Sequence, residues 1–353
     1  MKYENAPLIR IGKREVGADN PVYIIAEACD NHLGDLYKAK EMVRRAKLAG
    51  CDAVKFQHHL PDEEMLPDIP MSNNFSEPLY EFLQRCALDI EQHSELKSHC
   101  ESLGIQYLCT PFSYKAAREL ADIGVDALKI GSGEMTDLPS LRRMAVELRL
   151  PMVISTGMSS YEEIDETYNL LAICGIQFSL LNCISEYPPD YGDINLGVIP
   201  IMSDRYPKAV IGHSDHTPDI YTTFAAVALG ASIIEKHVTL DKNQVGPDQS
   251  VSIDFIDMTL LVDGVRKVQA ALGQRKEVHP KEEEIRRWAF RSLVTINSIS
   301  QGEEISLKNV WSKRPGTGIP SRYLDQVIGR KVVKNLSKDH VLSWDDLELG
   351  EDS

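Results

Sequence analysis

Two short apolar runs of the chain end in histidine, a residue type that binds divalent metals. AVIGHSDHTPD (209–219) carries His216, and ASIIEKHVTL (231–240) carries His237. Alternate residues of a strand share a face, so Glu235 and His237 are predicted to point the same way. The two imidazoles could then approach each other at the ends of neighbouring strands. Such a pair could hold a divalent metal, with a carboxylate completing an oxygen-rich shell. Glu27 and Asp248 are the candidates for that carboxylate.

Two lysines lie inside apolar runs, where an ammonium group is costly to bury. Lys55 occurs in DAVKFQ and Lys129 in DALKIG. Because an unpaired buried charge is unfavourable, we expect each lysine to have an anionic partner. With nearby hydroxyl groups, the two lysines would form an anion cradle in an otherwise acidic protein. A phosphate, or a phosphate together with a carboxylate, fits such a cradle.

The elements that must position these residues form a repeating pattern. Segments with helical periodicity, such as DLYKAKEMVRRAKLAG, separate successive β-rich runs. Strand and helix alternating eight times over roughly 250 residues predicts an α/β fold, the parallel (β/α)8 TIM barrel. The alternative is a doubly wound open sheet, which usually has a glycine-rich first turn, and EACDNHLGD is not GxGxxG. The eight runs are VYIIAE (22–27), AVKFQ (53–57), QYLCT (106–110), ALKIGS (127–132), MVIST (152–156), FSLLNC (178–183), AVIGHS (209–214) and SIIEKH (232–237).

Polar chemistry in a TIM barrel gathers at the C-terminal ends of the strands. A single serine after a strand is usually a turn or cap residue. Here all eight predicted strand ends carry polar or charged side chains, and this convergence predicts one site at the barrel mouth. In strand order they are Glu27; Lys55 and Gln57; Thr110; Lys129, Ser132 and Glu134; Ser155; Ser185 and Tyr187; Ser214 and His216; Glu235 and His237.

Composition excludes several classes of function. The 353 residues are 43% hydrophobic and 26% charged, as in ordinary globular proteins. A net charge of -15 argues against binding to nucleic acid or an anionic membrane, which needs a basic surface. The sequence contains no signal-peptide pattern and no apolar stretch near the ~20 residues of a membrane span, so we expect a cytoplasmic protein. Seven cysteines without CxxC spacing suit reduced thiols.

A charged stretch after the barrel predicts the domain boundary. QRKEVHPKEEEIRR has few apolar residues and is typical of a linker. The predicted organisation is a catalytic barrel over residues 1–275, a linker over 276–290 and a small domain over 291–353.

The motifs, in order, resemble the sialic acid synthase family, which condenses phosphoenolpyruvate with N-acylated amino sugars. They are IIAEACDNHLGD, AKLAGCDAVKFQ, TPF, KIGSGEMTDLP, VISTGMSS, YPPDYGDINL, IGHSDHTPD, EKHVTLDK and GPDQSVSID. The C-terminal stretches SLVTINSISQGEEISLKNVWSKRPGTGIP and VIGRKVVKNLSKDHVLSWDDLE resemble the antifreeze-like (SAF, β-clip) domain of that family. One departure is EACDNHLG, which stands where EIGxNHxG is frequent, so that the backbone after Glu27 is expected to differ slightly.

The resemblance implies a role for each candidate residue. His216 and His237 would hold the metal, Mn2+ in the first place, with Mg2+ or Co2+ as alternatives. Lys55 and Lys129 would receive phosphoenolpyruvate. Glu27 or Glu134 could orient or deprotonate the attacking water, or such a glutamate could serve only as an ion-pair partner of Lys55 or Lys129. Arg314, in KRPGTG, would cross into the barrel of a partner subunit, which implies a domain-swapped homodimer. The hydroxyl groups around the phosphate would be those of Thr110, Ser132, Ser155, Ser185 and Ser214, and the residues facing the sugar would be Glu27, Gln57, Asn74, Glu134, Tyr187 and Asp248.

Several alternatives remain open from the sequence. The acceptor could be N-acetylmannosamine, giving N-acetylneuraminate, or a diacetamido-trideoxyhexose, giving a legionaminate or a pseudaminate. A Schiff-base aldolase that uses Lys129 as nucleophile needs no metal. A sugar-binding barrel without catalysis would tolerate the loss of His237.

Overall fold

The protein consists of two compact units, Met1–Gly273 and Gln274–Ser353. The computed structural model describes residues 6–69, 77–273 and 275–348. In the first unit, a hairpin of β1 (Ile9–Ile11) and β2 (Arg14–Val16) precedes a sheet of eight strands. These strands are β3 Tyr23–Glu27, β4 Ala53–His58, β5 Gln106–Pro111, β6 Leu128–Ile130, β7 Met152–Ser155, β8 Phe178–Cys183, β9 Val210–Asp215 and β10 Ile233–His237.

The eight strands are parallel and run in the order β5-β4-β3-β10-β9-β8-β7-β6. The two end strands, β5 and β6, contact each other, and this contact closes the sheet into a barrel. The predicted (β/α)8 barrel is therefore confirmed. Because all strands point the same way, their C-terminal ends meet at one mouth.

Helices follow the strands, and most of them pack on the outside of the sheet, whereas α2 (Pro61–Glu64) and α3 (Leu79–Cys86) contribute residues to the cavity at the strand ends. The helices are α1 Leu36–Ala49, α2 Pro61–Glu64, α3 Leu79–Cys86, α4 Ile90–Leu103, α5 Tyr114–Asp122, α6 Leu138–Arg143, α7 Tyr161–Cys174, α8 Val198–Arg205, α9 Tyr221–Ala228 and α10 Phe255–Ala271. A π-helical turn, Met144–Leu148, continues α6. Within the described ranges, every helix is too short or too polar to cross a lipid bilayer.

Local sequence explains where a typical helix of this layer begins and ends. Helix α1 starts after Asp35, whose carboxylate accepts hydrogen bonds from the backbone N–H groups of Tyr37 and Lys38. It ends at Gly50, which has a left-handed backbone with a φ of 89°. Residues spaced three or four apart, including Ala39, Met42, Val43 and Ala46, form its buried face.

Two apolar layers hold the barrel together. One lies between the sheet and the helices, and the other fills the barrel interior. Hairpin residues Ile9, Ile11 and Val16 belong to the same cluster as the interior residues Ile25 and Val153. The hairpin therefore packs onto the interior of the barrel, and the strand ends are left for polar side chains.

The second unit is a small fold of short strands around its own core. Strand β11 (Ser292–Thr295) pairs antiparallel with β12 (Val310–Lys313), and isolated bridges such as Val294 with Val341 extend the pairing. Its core comprises Leu293, Ile299, Ile305, Val310, Ile319, Val327, Val332, Leu336, Leu342 and Leu347. A short helix, α12 (Leu324–Val327), follows β12 in the chain.

The segment predicted as a linker, 276–290, contains helix α11 (Glu283–Ala289). The backbone N–H of Gly316 donates to the carbonyl of Arg287, which ties this helix to a loop of the second unit. The high charge of this segment predicted a linker and gave no indication of the helix. The boundaries at 275 and 290 remain predictions.

Candidate active site

A cavity of about 540 Å³ opens at the C-terminal ends of the strands. Its lining includes fourteen of the sixteen predicted site residues: Glu27, Lys55, Gln57, Thr110, Lys129, Ser132, Glu134, Ser155, Ser185, Tyr187, Ser214, His216, His237 and Asp248. Asn74 lies outside the described residues. Arg314 belongs to the second unit.

Two buried carboxylates pair with the two predicted lysines. Glu27 forms an ion pair with Lys55, whose Nζ also donates to Thr110 Oγ1 at 3.0 Å. Glu235 lies between the lysines, with one carboxylate oxygen 3.7 Å from Lys55 Nζ and the other 3.7 Å from Lys129 Nζ. The side chains of all four charged residues are at most 4% exposed. These carboxylates are the anionic partners that buried ammonium groups require.

The charges in this cluster shift one another's protonation. Burial raises the pKa of Glu27 to about 7, with Glu235 adding to the rise and Lys55 opposing it. Burial favours the neutral form of Lys55, but the Glu235 and Glu27 carboxylates outweigh it and raise the pKa of that lysine. Burial lowers the pKa of Lys129 despite the nearby Glu235. At neutral pH, Lys55 therefore carries its proton, while Glu27 binds a proton more readily than an ordinary carboxylate does.

Serine hydroxyl groups surround the two lysines. Lys129 Nζ donates to Ser155 Oγ at 2.7 Å, and Ser214 Oγ donates to Glu235 at 3.0 Å. The backbone N–H of Gly157 donates to Ser132 Oγ at 3.0 Å. A Cβ at Gly157 would lie 2.8 Å from that oxygen and would also collide with Ser185 Oγ. Glycine at this position is thus what lets the two serines converge.

His216 and His237 lie side by side, with ring centroids 5.1 Å apart. His216 Nδ1 lies 2.7 Å from the carbonyl oxygen of Ile184, so a proton on Nδ1 leaves Nε2, which lies 3.4 Å from the Tyr187 hydroxyl, as the nitrogen that could bind a metal. His237 Nδ1 is buried without a hydrogen-bond partner in the described part of the chain. The Tyr187 ring stacks on the His216 ring, with ring centroids 4.4 Å apart. This donor set fits a divalent metal, because one imidazole is oriented and the other has an unused ring nitrogen.

A second donor group overlaps the histidine pair. Ligand atoms of Cys29, His237 and Asp248 all lie within 4.8 Å of one another. Cys29 was not among the predicted site residues, although it stands at the point where the motif after Glu27 departs from the resembled pattern.

A charged cluster on the cavity wall was also missed. His59 Nδ1 lies 2.9 Å from Glu64, and its Nε2 lies 3.4 Å from Asp30 and 3.1 Å from the Gln57 side-chain oxygen. Although burial opposes it, the two carboxylates raise the pKa of His59 to about 10. The sequence signal was present, since His59 directly follows the polar end of β4.

Behind the histidines, a second buried ion pair joins strands β9 and β10. Lys236 Nζ lies 3.1 Å from Asp215, and these two residues are direct partners in the strand register. Hydroxyl groups of Thr217, Thr222 and Thr223 donate to the same aspartate at 2.7 to 2.8 Å. Each member of the ion pair immediately precedes one of the two histidines in the chain.

Arg314 follows β12 in the second unit. Its Nε donates to the carbonyl of Ala289 at 3.1 Å, and its guanidinium lies 5.5 Å from the Trp288 ring centroid. A Cβ at Gly316 would come within 2.6 Å of Phe290 Cβ, so the loop packs closely against the end of α11.

Comparison with known proteins identifies the family. A model of the NeuB family matches residues 42–277, and a model of the SAF domain matches residues 290–348. The chain is 36% identical over 349 residues to N,N'-diacetyllegionaminic acid synthase of Legionella pneumophila, covering 96% of this chain and 98% of the relative. It is 35% identical over 329 residues to the synthase of the same name from Campylobacter jejuni, covering 90% and 98%.

A solved structure is also similar over most of the chain. It is a crystal structure of N-acetylneuraminic acid (sialic acid) synthetase from Leptospira borgpetersenii in complex with citrate. The TM-score is 0.71 at 32% identity, covering 79% of this chain and 95% of that one. The chain therefore belongs to the NeuB family, and it carries a SAF domain at its C-terminal end.

Proposed function

We propose that the protein condenses phosphoenolpyruvate with an N-acetylated amino sugar, giving a nonulosonic acid and phosphate. The observation that carries this proposal is a single cavity in which a buried lysine pair meets a histidine pair, on the barrel of a NeuB-family protein. The names of the relatives support the reaction class, since they are synthases of acids of this type.

The lysine pair and the hydroxyl groups would hold phosphoenolpyruvate. Lys55 and Lys129 neutralise its phosphate and carboxylate while positive charge develops at C2. The surrounding hydroxyl groups of Thr110, Ser132, Ser155, Ser185 and Ser214 donate hydrogen bonds to its oxygens. C3 of phosphoenolpyruvate attacks the aldehyde of the open-chain sugar, water adds at C2, and phosphate leaves by C–O cleavage.

Two carboxyl groups are suited to exchanging protons with that water. The pKa of Glu27 is raised to about 7 by burial, and burial also raises the pKa of Glu134. A general base works best when its pKa lies near the operating pH. Glu134 Oε2 has no hydrogen-bond partner among the described residues, which leaves it available to water or to the sugar.

His216 and His237 would hold a divalent metal. When bound there, such an ion supplies Lewis-acid polarisation of the sugar aldehyde. The resemblance favours Mn2+, with Mg2+ and Co2+ as alternatives. His216 is kept in the binding orientation by the Ile184 carbonyl.

The acceptor is a neutral sugar in this proposal. The cavity lining includes six carboxylate residues: Glu27, Asp30, Glu64, Glu134, Glu235 and Asp248. Against them, the described lining provides only Lys55 and Lys129 as lysine or arginine residues. Since these two would bind phosphoenolpyruvate, the phosphate of a phosphorylated sugar would find no further lysine or arginine among the described lining residues. N-acetylmannosamine and the diacetamido-trideoxyhexoses are all neutral, and Gln57, Asn74, Tyr187 and Asp248 would contact them.

Phosphate release provides the direct test. The purified protein is incubated with phosphoenolpyruvate, Mn2+ and each of three acceptors in turn: N-acetylmannosamine, a diacetamido-trideoxymannose and the related altrose. We expect phosphate release that depends on one acceptor and stops after chelation, with the nonulosonic acid identified by mass spectrometry. Absence of release with all three acceptors, or release without any sugar, would contradict the proposal.

The lowered pKa of Lys129 favours a second candidate, the Schiff-base aldolase, because an amine must be neutral to attack a carbonyl. Lys129→Met separates the two functions. The synthase proposal predicts a KM for phosphoenolpyruvate at least about tenfold higher, with a smaller change in the KM for the sugar. Lys13→Met, at an exposed turn, is the control. Borohydride trapping of a substrate adduct on Lys129 would instead support the aldolase.

A further inference from the structure

Cys29 occupies an unusual backbone position next to the histidine pair. It lies two residues beyond the end of β3 and is fully buried. Its φ is 40°, in the left-handed region that glycine adopts freely and other residues adopt at a cost. The resembled motif has glycine at this position. A strained backbone here therefore points to a use for the side chain.

The side chain of Cys29 points into a group of metal-binding atoms. Its sulfur, a nitrogen of His237 and a carboxylate oxygen of Asp248 lie within 4.8 Å of one another. His237 Nδ1 is buried and unpartnered within the described residues, and the residue as a whole is 4% exposed. The cluster thus combines three ligand types with an unused imidazole nitrogen.

We propose that Cys29 is a sulfur ligand of the metal held by His216 and His237, with Asp248 as the oxygen ligand. The thiol loses its proton to solvent as the sulfur–metal bond forms. Thiolate is a soft ligand that favours Zn2+ and Co2+ over Mg2+ and Mn2+. The metal preference then differs from the Mn2+ that the resemblance alone implies. This inference rests on the proposed metal-dependent function.

Apolar packing explains why other cysteines of the chain are buried, but it does not explain why a cysteine stands at position 29. Cys100 and Cys109 are also buried, but both belong to the apolar layer between sheet and helices. A small buried thiol in such surroundings fills space. Among the described residues, Cys183 also lies near the histidines, with its Sγ 3.9 Å from His216 Nδ1. Any test must therefore distinguish Cys29 from Cys183.

Cobalt spectroscopy tests the proposal without measuring turnover. Co2+ is added to the chelator-treated full-length protein, and absorption is recorded in the near-ultraviolet, where sulfur-to-cobalt charge transfer appears. The variants are Cys29→Gly, which suits the positive φ, and Cys183→Ala as the matched control. We expect the band in the wild type and in Cys183→Ala but not in Cys29→Gly. Cys29→Gly should also weaken Zn2+ binding by at least about tenfold, since even partners of ligands have effects of that size.

The outcomes separate this inference from the proposed function. A wild-type protein without the band, or a Cys29→Gly variant that keeps it, overturns the assignment of Cys29. Loss of the band in Cys183→Ala but not in Cys29→Gly would identify Cys183 as the sulfur ligand. That result would also overturn the assignment of Cys29. Circular dichroism establishes that each variant is folded. A missing reaction with phosphoenolpyruvate would refute the proposed function and leave the cobalt result unchanged.

Discussion

The individual residues of this cavity show how charge can be kept in a buried site. Lys55 and Lys129 share Glu235, and Glu27 completes the set, so that each charge has an opposite charge beside it. Removing one member leaves the others buried and uncompensated, which is usually far more costly than replacing a complete pair. We therefore expect substitutions within this set to affect folding as well as substrate binding.

The stabilisation of a buried charge by opposite charges can be tested at His59 by measuring thermal stability as a function of pH. Asp30 and Glu64 raise its pKa to about 10, whereas an unfolded histidine has a pKa near 6.5. The folded state thus binds a proton more tightly, and the resulting stabilisation is complete below about pH 6.5 and is lost as the pH rises through about 10. His59→Gln should flatten the decline of the melting temperature between pH 7 and pH 10.

The control for this experiment is His99→Gln, on α4 outside the cluster. It should keep the wild-type dependence on pH in thermal unfolding followed by circular dichroism. Equal slopes for the wild type and His59→Gln over the same interval would show that the folded protein does not hold the proton on this imidazole.

At the scale of secondary-structure elements, strand polarity made much of the site predictable. A parallel barrel places the C-terminal strand ends together, so Lys55, Lys129 and His237 could be grouped from alternation and order alone. Contacts made by loops could not be predicted this way. The cluster of His59 with Asp30 and Glu64 depends on how α2 turns back after β4, and no periodicity encodes that turn.

Dependence on tertiary contacts also explains why the role of Cys29 and the presence of helix α11 were not predicted from the sequence. A positive φ at a cysteine is not a propensity that can be read from composition, because the surrounding structure imposes it. Helix α11 lies in a charged stretch, and it is held against the 314–316 loop by hydrogen bonds from the backbone N–H of Gly316 and from the Arg314 side chain. Both features arise from tertiary contacts that local patterns do not contain.

The ion pair between β9 and β10 carries a prediction at this scale. Lys236→Met leaves Asp215 buried without its cation, so the free energy of unfolding should fall by about 3–5 kcal/mol. Asp215→Asn/Lys236→Met should lose less than the sum of the two single variants, because the partners are coupled. Urea denaturation monitored by fluorescence measures these values. Strict additivity would mean that the two side chains do not stabilise each other.

At the scale of the whole molecule, the second unit raises the question of whether Arg314 takes part in the proposed reaction. Within its own unit, Arg314 is held by the Ala289 carbonyl and the Trp288 ring, on a loop that Gly316 packs against α11. A guanidinium positioned in this way can bind an oxygen acceptor at little entropic cost. The resemblance implies that this acceptor is the sugar in the barrel of a partner subunit, and we propose a domain-swapped homodimer on that basis.

Subunit mixing tests this proposal. Arg314→Ala and His237→Ala should each be inactive alone. Arg314→Ala lacks the guanidinium, and His237→Ala lacks a metal ligand. In a mixed dimer, the intact barrel of the Arg314→Ala subunit would receive Arg314 from its partner. Equal mixing should restore about a quarter of the wild-type activity, because half of the dimers are mixed and each has one complete site. Differently tagged chains establish that exchange has occurred. Exchange without recovered activity would assign Arg314 to its own subunit or to no site.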